Sequence, residues 1–145
     1  MFQSFHLTLA VRGGSGVKRR EFLDYVIDGR PLLSLFDDVD VVSALAADLP
    51  ARALIGAVDG LLLREASSLA GDRYVLYCCP ECGDLGCGAI TAAIVQHDEH
   101  VVWRDFRWQD SVDQQLERYP DVGPFRFSAD EYRSALEQVR CRQNW

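Results

Sequence analysis

Residues 5–11 alternate between apolar and polar. Phe5, Leu7, Leu9 and Val11 fall on one side and His6, Thr8 and Ala10 on the other. A period of two predicts a half-buried strand. Gly13, Gly14, Ser15 and Gly16 follow as a flexible loop, without the Gly-Lys-Ser/Thr ending of a phosphate cradle. In residues 21–36 the Asp28-Gly29 pair between apolar stretches predicts a hairpin turn, because both central positions of that turn favour positive φ. Pro31 makes the second arm short or an edge. Residues 37–40 form a polar break. Residues 41–49 (VVSALAADL) are expected to form a short helix ending before Pro50, and residues 51–66 a short helix or turn followed by a strand around Leu61–Arg64.

The second half is more regular. Residues 73–79, 89–96 and 100–107 predict three antiparallel strands in a meander, with Asp98-Glu99 as an acidic turn. Residues 80–88 read as a tight loop and 109–124 as polar and irregular, followed by a short strand at 125–127. Ser128 and Glu131 have capping-box spacing. Tyr132, Ala135, Leu136 and Val139 then repeat at helical spacing and are expected to face the sheet. The expected architecture is a single α+β domain over residues 1–145, a mostly antiparallel sheet with a C-terminal helix packed on it.

Composition narrows the class. A chain of 145 residues that is 48% hydrophobic buries about 68–70% of its unfolded surface and needs no metal or disulfide to hold a core. No apolar run reaches the roughly 18 residues of a membrane span. The start lacks the basic and long apolar regions of a signal peptide, so the expected location is cytoplasmic, with no membrane partner. The formal net charge is −7, and the basic residues are 14 Arg and the single Lys18. Residues 21–48 carry seven carboxylates against Arg30 alone. Such a surface repels a phosphate backbone, which argues against nucleic acid as a partner, and attracts a basic protein.

Four of the five cysteines lie between residues 78 and 87, in YCCPECGDLGCG. Cys79, Cys82 and Cys87 have half the spacing of a zinc knuckle. His97 and His100 lie beyond an intervening strand, roughly 25–30 Å away at the rise of an extended chain. Cys78, adjacent to Cys79 on a strand, points to the other face. Asp84 or a partner subunit is left as the fourth ligand. Cys79-Pro80-Glu81-Cys82 also has the CxxC spacing of thiol redox sites, yet the residues after it are turn-formers and not the helix N-terminus that lowers a thiol pKa. The third reading is structural: small, often buried side chains packed under the strands by a glycine-rich turn.

The remaining residues do not assemble a recognisable catalytic set. His6 falls on the polar side of its strand, and His97 and His100 flank a turn. There is no GxSxG and no HExxH, and the chain is read as a protein without enzymatic activity. Trp103 shares a strand face with Val101 and is assigned to the core. Trp108 has the opposite parity and is either core or an exposed interface anchor.

The segment Tyr77-Cys78-Cys79-Pro80-Glu81-Cys82-Gly83-Asp84-Leu85-Gly86-Cys87-Gly88-Ala89, with Val102-Trp103-Arg104-Asp105-Phe106 after it, resembles a family of small uncharacterised proteins of GC-rich bacteria. That family brings no chemistry to these residues. In size, acidity and lack of a catalytic set the chain is also similar to the immunity proteins of contact-dependent bacterial toxin systems. This similarity is one of type. It implies a non-catalytic protein that binds and neutralises a cognate, basic toxin domain. Asp37, Asp38 and Asp40 are the expected contact carboxylates, Trp108 the aromatic anchor, and no cofactor is required. The alternative is a zinc-binding or thiol redox protein built on Cys79, Cys82 and Cys87.

Overall fold

A computed structural model of the protein describes residues 2–12, 20–36, 41–45, 51–64, 72–78, 88–109, 115–116, 119 and 121–141. The alternating N-terminal segment forms β1 (Phe5–Arg12), which pairs antiparallel with β2 (Arg20–Ile27) in unbroken register from Phe5–Ile27 to Arg12–Arg20. Asp28 and Gly29 turn the chain with φ of 52° and 79°, as the Asp-Gly pair predicts. β3 (Arg30–Pro31) is a two-residue edge strand on β2, followed by a single 3-10 turn, Leu32–Leu35.

The second sheet begins where a helix was expected. Val42–Ser43 form β4, paired with β5 (Arg73–Cys78) through Val42–Cys78 and Ser43–Tyr77. The helical spacing of residues 41–45 loses to pairing with β5, through Val42 and Ser43 and the Ala44 N–H on the Leu76 carbonyl, and Val41, Val42 and Leu45 are buried in this extended form. Residues 46–50 lie outside the described set. The short helix expected at the start of residues 51–66 forms as α1 (Ala51–Leu61). Leu54, Val58 and Leu61 are its buried stripe. The strand expected around Leu61–Arg64 does not form. Leu61 ends the helical stripe, and Leu62, Leu63 and Arg64 close a turn through N–H bonds to Val58, Gly60 and Asp59 carbonyls, with Leu63 at φ 61°.

The meander is present. β5 pairs with β6 (Ala89–His97), which pairs with β7 (His100–Gln109) across the Asp98-Glu99 turn. The outer edge of β7 is shared. β9 (Phe125–Ser128) pairs with His100–Trp103, and β8 (Gln115–Leu116), inside the segment expected to be irregular, pairs with Trp108 and Gln109. α2 (Ala129–Cys141) then packs on the sheets with Tyr132, Leu136 and Val139 buried, as their spacing predicts. The Glu131 carboxylate, which the capping-box spacing assigns to Ser128, accepts the Phe5 N–H at 2.6 Å and ties the first turn of α2 to β1.

The fold is therefore α+β, two antiparallel sheets under a C-terminal helix. Phe5, Tyr25, Trp103, Phe127 and Tyr132 meet at its centre with ring centroids 4.9–6.4 Å apart. The Trp103 Nε1–H donates to the Tyr132 hydroxyl, which donates to the Leu61 carbonyl, so the polar tips of two large core rings satisfy each other. Among the described residues no helix is long and apolar enough to cross a membrane.

Candidate functional site

Two buried polar clusters fix the sheets relative to their neighbours. On β2, Asp24 is 5% exposed, and its Oδ1 accepts from the Tyr77 hydroxyl at 2.5 Å and the Tyr25 N–H at 2.8 Å. Burial raises the Asp24 carboxyl above its ordinary range, and these hydrogen bonds offset part of the rise. The same burial, with the Asp24 charge, pushes the Tyr77 hydroxyl up. On the face of β5–β6–β7 turned away from the aromatic core, Arg73 donates to Thr91 Oγ1, the Thr91 carbonyl and the Asp105 carbonyl. Thr91 is in turn bonded to Gln109. Burial, with the nearby Arg107, lowers the Arg73 guanidinium to about 10. Both clusters tie neighbouring strands together through buried side chains.

The structure places the predicted site residues unevenly. Asp37, Asp38, Asp40, Cys79, Cys82 and Cys87 lie outside the described residues. Cys78 is half-buried at the end of β5, opposite Ala89. Among the described residues no group of three or more His, Cys, Asp and Glu side chains is arranged to hold a metal ion. Trp103 is fully buried, as expected. Trp108 is half-buried, and its indole covers Gly88 so closely that a Cβ there would sit 2.0 Å from Cζ2. It faces the same way as Trp103, since their partners on β6 are Ile90 and Ile94. One extra residue in β7, with Asp105 at φ 56°, reverses the parity between them.

The arrangement best suited to a partner lies at the β6–β7 turn. There a hollow of about 300 Å³ is lined by Phe2, Asp98, Glu99, Asp130 and Arg133, with Ser128 and Ala129 at its floor. The Ala129 N–H donates to the Glu99 carbonyl at 2.9 Å, so the start of α2 is fixed on the turn. Asp98 holds the turn at φ 51°. Phe2 is 48% exposed, its ring 6.0 Å from that of His100, which is 5.6 Å from His97. Three carboxylates thus line one hollow with the Phe2 ring, and Arg133, the one cation in that lining, is paired to Asp130 at 3.5 Å. In the sequence Asp98-Glu99 stands out only as an acidic turn between two strands. Nothing in the sequence joins residue 2 to residues 98–99 and 130.

No family model, no curated protein and no solved structure matches the chain.

Proposed function

We propose that the protein acts by binding and not by turnover, as an immunity-type protein that covers a cognate, basic toxin domain in the cytoplasm. The observation that carries this reading is Phe2, about half exposed and lining one hollow with Asp98, Glu99 and Asp130. An arginine of the partner can lay its guanidinium on the Phe2 ring and direct its N–H groups at the carboxylates, which are the stronger kind of hydrogen bond. Aromatic rings and arginines carry much of the energy of protein interfaces. The net charge of −7 adds attraction at longer range. In this proposal Asp37, Asp38 and Asp40 are further carboxylates for the partner, and the part of Trp108 left exposed is a second aromatic contact.

The test is co-purification with the product of the adjacent gene, followed by titration calorimetry. Neutralising the hollow with Asp98→Asn, Glu99→Gln and Asp130→Asn, or removing the ring with Phe2→Ala, is expected to weaken the complex by roughly tenfold or more. Asparagine keeps the positive φ at position 98 accessible. A complex that all four substitutions leave unchanged, or no complex with that product, sinks the reading.

A further inference from the structure

β1 is the end strand of its sheet, and its hydrogen-bonding direction can be read from its neighbours. The Asp28 N–H donates to the Ser4 carbonyl, and the Phe5 N–H points away from β2, to Glu131. On β2 the Leu23 N–H, opposite Leu9, also points away from the pair, to the Leu45 carbonyl. In an antiparallel ladder, pairs that exchange hydrogen bonds alternate with pairs that do not. The Phe5–Ile27 and Leu9–Leu23 pairs are thus of the second kind. Leu7, Leu9 and Val11 turn their N–H and C=O groups outward, and among the described residues none of these groups has a partner.

The side chains of this edge are as open as its backbone. Leu9 is 53% exposed and Val11 49%, and Leu7 lines an adjoining groove of about 330 Å³ against Ala135 and Val139 of α2. Edge strands are ordinarily guarded by lysine, proline, a bulge or inward charge. β1, with the sequence FHLTLAVR, has none of these from Phe5 to Val11, and its one formal charge, Arg12, stands at its end.

We propose that this edge is closed by β1 of a second copy, in an antiparallel pair with its two-fold axis at Leu9. In that register Leu9 faces Leu9 of the partner, and Leu7 faces Val11 in both directions. Every outward N–H then meets an outward C=O. All six side chains fall on the face that carries α2, forming one apolar row. Only an isologous contact, the same patch on both subunits, gives each copy this pairing. The row itself selects the same occupant: its three outward apolar positions are spaced evenly about Leu9, so a second β1 matches them one for one. The basic partner of the acidic hollow gains nothing from a strand without a carboxylate, and in this register the one formal charge of β1, Arg12, lies opposite His6 at the end of the pair.

Sedimentation equilibrium of the full chain over a concentration series tests this, with far-UV circular dichroism confirming that each variant is folded. The wild type is expected to be a dimer that dissociates on dilution. Leu9→Lys alone and Leu9→Asp alone place like charges on the axis and are expected to weaken self-association by roughly tenfold or more. An equimolar mixture of the two places opposite charges there and is expected to restore a dimer. A monomeric wild type, a dimer that Leu9→Lys leaves intact, or a mixture that stays monomeric overturns the proposal. The hollow is untouched by these variants, so loss of partner binding at the hollow and loss of the dimer are read separately.

Discussion

Asp24 shows how one buried group sets a dependence on pH. Its carboxyl lies between β2 and β5, held by the Tyr77 hydroxyl and the Tyr25 N–H, and burial raises its affinity for a proton above the ordinary value of 3.8. The folded state therefore binds that proton more tightly than the unfolded chain does. The contribution of the neutral group is fully present below the unfolded value and is lost as pH rises through the folded one. Asp24→Asn keeps an acceptor for Tyr77 and Tyr25 and removes the titration. Compared with this variant, the wild type is expected to be relatively less stable at pH 7 than at pH 4. Urea unfolding of both proteins at the two pH values checks the sign, and an unchanged difference would show that the carboxyl titrates as in the unfolded chain. Arg73 faces the opposite constraint. Its guanidinium spans two carbonyls and a hydroxyl, a planar fork that lysine cannot reproduce.

At the scale of elements, what the sequence discloses is what local periodicity encodes. β1, the Asp28-Gly29 turn, the β5–β6–β7 meander and the buried face of α2 were all legible, because each repeats at its own period with turn residues at its ends. β4 was not. VVSALAADL has helical spacing, and only a distant strand, through Tyr77 and Cys78, makes Val42–Ser43 extended. The parity of Trp108 was misleading for a related reason, since one extra residue at Asp105 returns it to the face of Trp103. That return makes Gly88 a sensitive position. Its φ is 99°, and a Cβ would meet Trp108 at 2.0 Å. Gly88→Ala is expected to destabilise the fold by roughly 1–3 kcal/mol, read by urea unfolding with tryptophan fluorescence. Adding Trp108→Leu should recover part of that loss, because contacting residues are not additive. Equal losses with and without the indole would show that backbone strain alone is responsible.

At the scale of the whole molecule the proposed complex depends on two things, the net negative charge and the Phe2 hollow. The sum of the charges was legible from the chain, but the place where they act was not. Phe2, the β6–β7 turn and Asp130 are joined only because Gln3 bridges to Phe127 and α2 starts against Glu99. Field and contact make separable kinetic demands. A net charge of −7 acts over about a Debye length, roughly 8 Å at physiological salt, and is screened beyond it. In the proposed complex it therefore sets how fast the basic partner arrives, whereas the Phe2 ring acts only on contact and sets how slowly that partner leaves. With the adjacent gene product in stopped-flow and surface-resonance measurements, neutralising Asp98, Glu99 and Asp130 together is expected to lower the association rate by roughly tenfold at low salt. That difference should shrink as salt is added. Phe2→Ala is expected to leave the association rate and its salt dependence nearly unchanged and to raise the dissociation rate. If instead both variants alter the same rate, the carboxylates and the ring work as a single contact, and the long-range field has no part of its own in recognition.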